Sequence, residues 1–207
     1  MHIDRICTDV YRIRVPFEDI YTSVYVVRNN DRALLIDSGA DETDVDTVIL
    51  PALRSIGIEC CAVHALLLTH AHSDHAGGLG RLSSHFPQAA IRASYPIALP
   101  GFHPLEDNAF PLPSVQTVYL PGHVDHAVGF LHLPTGTLLS GDCLQLRGIG
   151  KYRKNIADRD AYERSVRKLQ TMKLHRIVAA HEFDPLGSMA EGDDAVQQYL
   201  TACLNDW

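Results

Sequence analysis

No stretch of this sequence stays apolar for the ~20 residues that a bilayer crossing needs. The opening Met1-His2-Ile3-Asp4-Arg5 lacks the apolar core of a secretion signal. Cysteine is sparse and odd in number: Cys7, Cys60, Cys61, Cys143 and Cys203 offer neither the even, spaced set of a disulfide framework nor a C-x-x-C pair. These absences predict a soluble protein of the reducing cytoplasm, without membrane association. A long basic run is also missing, and the formal net charge is −7. Nucleic acid is therefore not an expected partner, because its backbone calls for a concentrated cationic face. That total limits surfaces rather than a metal site, where bound cations would bring the positive charge themselves. Internal repeats, low-complexity tracts and linkers are absent too. A chain of 207 residues, 46% hydrophobic and 21% charged, reads as one globular domain over 1–207, a length that also accommodates two small ones, with its oligomeric state left open.

What is present alternates between strand and helix signals. Extended segments are expected at Ile6–Val15 and Thr22–Arg28, with Pro16 interrupting, then a turn at Asn29-Asn30-Asp31 and a buried strand at Ala33–Ile36. Val45, Val48, Ile49, Leu53 and Ile56 recur at helical spacing, and Pro51 predicts a kink or two short helices. Ala65–Leu68 reads as a strand, His75–Phe86 as a helix containing Gly77-Gly78, and Ala90–Ala93 as another strand. Five prolines between Tyr95 and Pro113 predict a largely irregular stretch. Strands follow near Val115–Leu120, Val128–Leu133, Thr137–Leu139 and Ile177–Ala179. Asp158 is placed to cap a helix with the stripe Tyr162, Val166, Leu169 and Met172; Ser188 with Glu191 has the capping-box spacing ahead of a last helix. By themselves these signals give mixed α/β layers.

The chemistry concentrates at Thr69-His70-Ala71-His72-Ser73-Asp74-His75. With 12 histidines in 207 residues, an average six-residue window holds fewer than one; this window holds three and a carboxylate. Imidazole and carboxylate together suit zinc and its neighbours. On an extended chain leaving a strand, His70 and His72 point to one side. A following helix would aim Asp74 and His75 at a second point, so one loop can serve two metals. The competing reading is an exposed histidine-rich loop, or core histidines bonded to carbonyls.

At these residues the sequence resembles the metallo-β-lactamase fold superfamily, in its dinuclear hydrolase branch with glyoxalase II-like and lactonase-like members. The motif H-x-H-x-D-H is complete at His70, His72, Asp74 and His75. Leu35-Ile36-Asp37-Ser38-Gly39 resembles the upstream strand-end motif. Pro121-Gly122-His123, Ser140-Gly141-Asp142 and Ala180-His181-Glu182 resemble the later motifs in order. The resemblance implies an αββα sandwich of two mixed sheets flanked by helices. It also implies two divalent metal ions, zinc first, with iron or manganese compatible. One ion would be held by His70, His72 and His123, the other by Asp74, His75 and His181, and Asp142 would bridge them. Asp37 would support the site by hydrogen bonds, or simply turn the chain at a strand end. His126 stands where the family usually has glycine, and reads as a substrate contact or an ordinary loop histidine. Taken singly, His123 and His181 would read as satisfied buried histidines, and Asp142 as a turn residue.

The expected function is hydrolysis of an ester-like carbonyl (thioester, lactone or a related small molecule) by water activated between two metals, with Asp74 and Asp142 in catalytic roles. Cys143, next to Asp142, has no evident base and reads as a buried small side chain. Lys151-Tyr152-Arg153-Lys154 would reach an anionic substrate or form a solvated loop. The short stretch after His181 leaves little room for the glutathione-binding region of longer glyoxalase II-like relatives. The alternatives are a non-haem iron oxidoreductase on the same fold and a phosphodiesterase. Flavodiiron relatives typically carry glutamate where this chain has His72, which weighs against the first.

Overall fold

The computed structural model describes residues 3–146, 154–183 and 185–205. The chain divides between Leu105 and Glu106 into two compact units, each with its own sheet and buried apolar cluster. The first unit holds seven strands in chain order: β1 (Ile3–Cys7), β2 (Val10–Phe17), β3 (Ile20–Asn29), β4 (Arg32–Ile36), β5 (Val63–Leu67), β6 (Ala90–Ala93) and β7 (Phe102–Pro104). Antiparallel pairing from β1 to β4 gives way to parallel pairing from β4 to β7. Ile13, Val24, Val26 and Leu35 of the sheet share a core with Val45, Ile49, Leu53 and Leu82 of the helical segments.

The extended segment expected at Ile6–Val15 is two strands rather than one. Cys7 pairs with Val10 across a tight turn in which Asp9 takes a left-handed conformation, φ 64°. Aspartate tolerates that region because its short polar side chain can bond locally, a local event that strand propensity does not register. Pro16 does not interrupt β2. It pairs with Tyr21 beyond the last β1 pair, Ile3 with Ile13, where β2 has a single neighbour and a strand tolerates proline. The β3–β4 turn is where Asn29-Asn30-Asp31 predicted it, with Asn30 at φ 56°.

Residues 42–55 form α1 (Glu42–Asp44), a π-helical turn at Val45–Ile49 and α2 (Leu50–Ser55). Pro51 lies in the first turn of α2, so the wide turn comes just where a proline would block regular i to i−4 bonding. The helix expected over His75–Phe86 is split into α3 (Ser73–Ala76) and α4 (Leu79–His85) by Gly77-Gly78. A Cβ on Gly77 would sit 1.9 Å from the Ala40 carbonyl oxygen, and one on Gly78 2.2 Å from that of Ser38. The two glycines thus let the loop after β4 lie directly on the helix that carries Asp74 and His75.

The second unit has β8 (Val115–Tyr119), β9 (Val128–His132), β10 (Thr137–Gly141), β11 (Arg176–Ala179) and β12 (Met189–Glu191), in the spatial order β12-β11-β10-β9-β8. Only β10 and β11 run parallel. α5 (Arg159–Gln170) starts at Asp158, whose carboxylate accepts the Ala161 N–H at 2.9 Å as expected, and buries Tyr162, Val166 and Leu169. The capping box at Ser188 and Glu191 is not formed. Glu191 belongs to β12 and pairs with Arg176 of β11, while α6 (Asp193–Asn205) begins after Gly192. The spacing was met by a strand whose register with β11, a long-range fact, no local pattern contains. Among the described residues no helix is long and apolar enough to cross a membrane.

In both units the polar motifs leave the sheet at strand C-termini. Parallel β4 and β5 deliver Asp37 and Thr69 to one edge, and parallel β10 and β11 deliver Asp142 and His181 to one edge. If the Gly77 contact fixes α3, Gly77→Ala should destabilise the chain by about 1–3 kcal/mol through overpacking against backbone. Gly80→Ala in α4, where an added Cβ meets nothing within 4 Å, should instead stabilise by up to about 1 kcal/mol. Urea denaturation of the two variants measures the contrast.

Candidate metal-binding clusters

In the first unit the chain leaves β5 through Leu68 and Thr69, runs extended through His70 and His72, and enters α3 with Asp74 and His75. His70, Asp74 and His75 are buried and His72 is partly so. His70 Nε2 lies 3.0 Å from His72 Nδ1, and His75 Nε2 lies 3.2 Å from Asp74 Oδ2. A tetrahedral zinc with ligand bonds of 2.0–2.1 Å separates its donor atoms by about 3.3 Å, so both pairs have the spacing of two donors on one ion. The alternation that puts His70 and His72 on one side is thus realised, and Asp74 with His75 forms a second pair on the first turn of α3.

Their orientation is set by Asp37, at the end of β4 with φ 67°. Its Oδ1 accepts the Thr69 N–H at 2.8 Å and its Oδ2 accepts the Thr69 hydroxyl at 2.9 Å. Oδ2 also lies 2.7 Å from His75 Nδ1. Asp37 is 2% exposed and spends both oxygens on Thr69 and His75, which is more than a plain strand-end turn requires. With Nδ1 engaged, His75 presents Nε2 outward, the usual arrangement of a metal-binding histidine backed by a carboxylate. Ser38 holds the same helix from behind, its N–H and hydroxyl donating to the His75 carbonyl at 2.7 and 2.9 Å. The Tyr95 hydroxyl donates to the His70 carbonyl at 3.1 Å; burial pushes its pKa well above the ordinary phenol value, with the Asp37 charge adding, so it remains a donor.

The second unit holds the other three predicted residues. His123 follows β8, Asp142 follows β10 and His181 follows β11; their exposures are 2, 8 and 9%. Asp142 faces a different histidine with each oxygen: Oδ2 is 3.7 Å from His123 Nε2 and Oδ1 is 3.2 Å from His181 Nε2. His123 Nδ1 lies 2.5 Å from the Asn155 carbonyl, which directs Nε2 toward Asp142. Gly122, at φ 143°, makes room: a Cβ there would stand 2.5 Å from Tyr162 Cα. Cys143 is buried in the apolar cluster, as expected.

His126 is paired with the exposed Asp125 at 2.7 Å, which lowers the Asp125 pKa through that bond and its charge, and fits an ordinary loop histidine. Of Lys151–Lys154, residues 151–153 lie outside the described residues. Lys154 donates to the Cys203 carbonyl at 2.6 Å and sits 4.9 Å over the Tyr162 ring. Sequence reasoning overlooked Thr69, Tyr95, Gln145 and Asn155. Thr69 was legible as the residue joining strand and motif; the other three carry no local signal. The donors are imidazole and carboxylate throughout, and the chain has histidine and aspartate clusters suited to binding metal ions.

Residues 18–112 match the model of the family described as the Metallo-beta-lactamase superfamily. Over 147 residues the chain is 32% identical to the hydroxyacylglutathione hydrolase of Aeromonas hydrophila subsp. hydrophila, covering 67% of this chain and 52% of that protein. Over 182 residues it is 30% identical to the Beta-lactamase-like protein 2 homolog of Drosophila melanogaster, covering 77% and 58%. The chain thus spans little more than half the length of these curated relatives. A crystal structure of a metallo-β-lactamase from Erythrobacter litoralis matches it with a TM-score of 0.76 at 19% identity, covering 98% of this chain and 96% of that one. The expected fold class is therefore the one observed: α/β, with two mixed sheets flanked by helices.

The Asp37 contact makes its own prediction. Asp37→Asn keeps an oxygen for Thr69 but removes the charge behind His75 Nδ1. Zinc affinity, measured by competition with a chromophoric chelator, should fall about 10- to 100-fold.

Proposed function

The chain belongs to the metallo-β-lactamase superfamily, and we propose that it is a metal-dependent hydrolase acting on an ester-like carbonyl of a small molecule, a thioester or a lactone. In this reading the two units work as one domain. His70, His72 and His123 would hold one divalent ion, Asp74, His75 and His181 would hold a second, and Asp142 would contribute a carboxylate to the pair. Zinc fits these imidazole and carboxylate donors, which iron and manganese share. The observation that carries the reading is Asp142, a nearly buried carboxylate whose two oxygens face two different imidazoles. A carboxylate held that way is suited to serve two cations at once. The substrate class takes support from the Aeromonas relative, named as a hydrolase of hydroxyacylglutathione. A cytoplasmic location belongs to the same reading, on the cysteine pattern.

Two bound divalent ions would supply Lewis acidity toward the carbonyl and lower the pKa of a bound water toward about 7. The side chains do the positioning. Asp142 and Asp74 would offset the positive charge of such ions, and their oxygens could accept hydrogen bonds that orient a water. Asp37 keeps the proton of His75 on Nδ1, and the Asn155 carbonyl keeps that of His123 on Nδ1, so each ring turns its Nε2 lone pair to the site. A serine or cysteine nucleophile is not needed, and Cys143 is packed in the core.

Protein of measured metal content, assayed against thioesters, lactones, phosphodiesters and β-lactams with oxygen uptake followed in parallel, tests the proposal. The expected outcome is two metal equivalents per chain, turnover of a thioester or lactone, loss of turnover on chelation and its return with zinc. Asp142→Asn should bind one equivalent or fewer and lose nearly all activity. Full activity in that variant with both metals retained, or oxygen uptake in place of hydrolysis, would overturn the assignment.

A further inference from the structure

Within the second unit, His123 is bound to a relay that no motif announces. The Asn155 carbonyl can only accept, so its 2.5 Å contact places the ring proton on His123 Nδ1. The Asn155 peptide is held in turn: its N–H donates to Gln145 Oε1 at 2.7 Å. Gln145 is 3% exposed, and its backbone is locked at both ends by one phenol. The Tyr162 hydroxyl accepts the Gln145 N–H at 3.0 Å and donates to the Gln145 carbonyl at 2.8 Å. The Asn155 N–H contact also fixes which end of the Gln145 amide is oxygen, and so leaves Nε2 at 3.1 Å from His123 Nδ1.

That last contact is informative. With the proton on Nδ1, two donors face each other there; with the proton on Nε2, Nδ1 could accept from Gln145 but would then confront the Asn155 carbonyl at 2.5 Å. The closer carbonyl decides for the Nδ1–H form, and the carbonyl is where it is because Gln145 Oε1 holds its peptide. Around the relay, the Ala157 and Asp158 N–H groups both donate to the Gly122 carbonyl at 2.9 Å, and the Ser165 hydroxyl donates to that of Pro121 at 2.7 Å. The backbone on either side of His123 is therefore clamped, and the ring's tautomer is the remaining variable.

We propose that Gln145 is a positioning residue for His123: through the Asn155 peptide it holds the imidazole as the Nδ1–H tautomer with Nε2 presented for a metal. This rests on the assignment of His123 as a ligand, but the tautomer is a property of the chain alone. Two substitutions separate positioning from packing. Gln145→Leu roughly keeps the volume and removes both the acceptor for Asn155 and the Nε2 donor facing His123. Gln145→Glu keeps Oε1 for Asn155 and puts a second oxygen where Nδ1–H can donate.

The experiment combines long-range ¹H–¹⁵N imidazole spectra of the full chain at neutral pH with zinc affinity from chelator competition. In the wild type before zinc is added, His123 should appear as the Nδ1–H tautomer. Gln145→Leu should show mixed tautomers and zinc affinity about 10- to 100-fold weaker, whereas Gln145→Glu should keep the tautomer and bind within a few-fold of wild type. The proposal is overturned by a wild-type His123 protonated on Nε2, or by a Gln145→Leu variant with the wild-type tautomer and affinity. A wild-type His123 protonated on Nε2 overturns the proposal even if Gln145→Leu does not fold, and Gln145→Met, which also lacks the acceptor, then replaces that variant in both measurements. A correct tautomer in a chain that binds no zinc would leave the Gln145 role standing and defeat the metallohydrolase reading instead.

Discussion

Imidazoles and carboxylates crowded together inside a protein need protons or cations to compensate them. In this chain His70 Nε2 meets His72 Nδ1 at 3.0 Å, and each oxygen of Asp142 meets an imidazole Nε2. All three carboxylates involved, Asp37, Asp74 and Asp142, are less than a tenth exposed, as are His70, His75, His123 and His181. Removing a carboxylate from water costs several kcal/mol unless partners are supplied. A proton can be shared across one such contact, but a divalent cation satisfies several together. The donor sets therefore constrain what the sheets must do, which is to end at the right places. Each loop bearing a proposed ligand leaves the C-terminal end of a strand, and the parallel pairs β4–β5 and β10–β11 make neighbouring ends coincide.

Bringing donors near one another is not enough, since an imidazole has two nitrogens and only one can carry the lone pair. The chain settles the choice twice, by different means. His75 is fixed by the charged Asp37, held in a left-handed conformation at the end of β4 and tied down by Thr69. His123 is fixed by a neutral backbone carbonyl, itself held by Gln145. A carboxylate behind the ring raises ligand basicity more than a carbonyl does, so the two histidines are not equivalent donors even though each presents Nε2. The contrast follows from topology. Asp37 comes from the adjacent parallel strand, whereas β8 has only β9 beside it and its loop must find an acceptor in the segment ahead of α5.

These two arrangements also explain what could be read from the sequence. His70, His72, Asp74 and His75 were legible because strand alternation and one helical turn determine their directions within six residues. Val115–Tyr119, Val128–His132 and the Asp158 cap were legible for the same local reason. The strand β12, the turn at Asp9 and the failed capping box at Ser188 were not, because each depends on pairing or conformation that neighbours in sequence do not specify. Asp37 stood between these cases: its strand-end position was visible, while its bond to His75 spans 38 residues. Gln145 had no signal at all. A glutamine after an apolar pair is unremarkable until Asn155, ten residues on, folds back against it.

The division of the ligands between the units bears on stability as well as chemistry. Four of the seven proposed donors belong to residues before Leu105 and three to residues after Glu106. Binding free energy at such a centre adds to the stability of the state that presents all donors, by RT ln(1 + [L]/Kd) at each site. Each apolar cluster gives its own unit a core without that help, so bound ions would stabilise chiefly the loops bearing the proposed donors. Groups that pre-set a ring, such as Asp37 and Gln145, lower the cost of ordering those loops before an ion arrives. Their effect should therefore appear first in metal affinity, and in turnover only as far as occupancy of the centre falls.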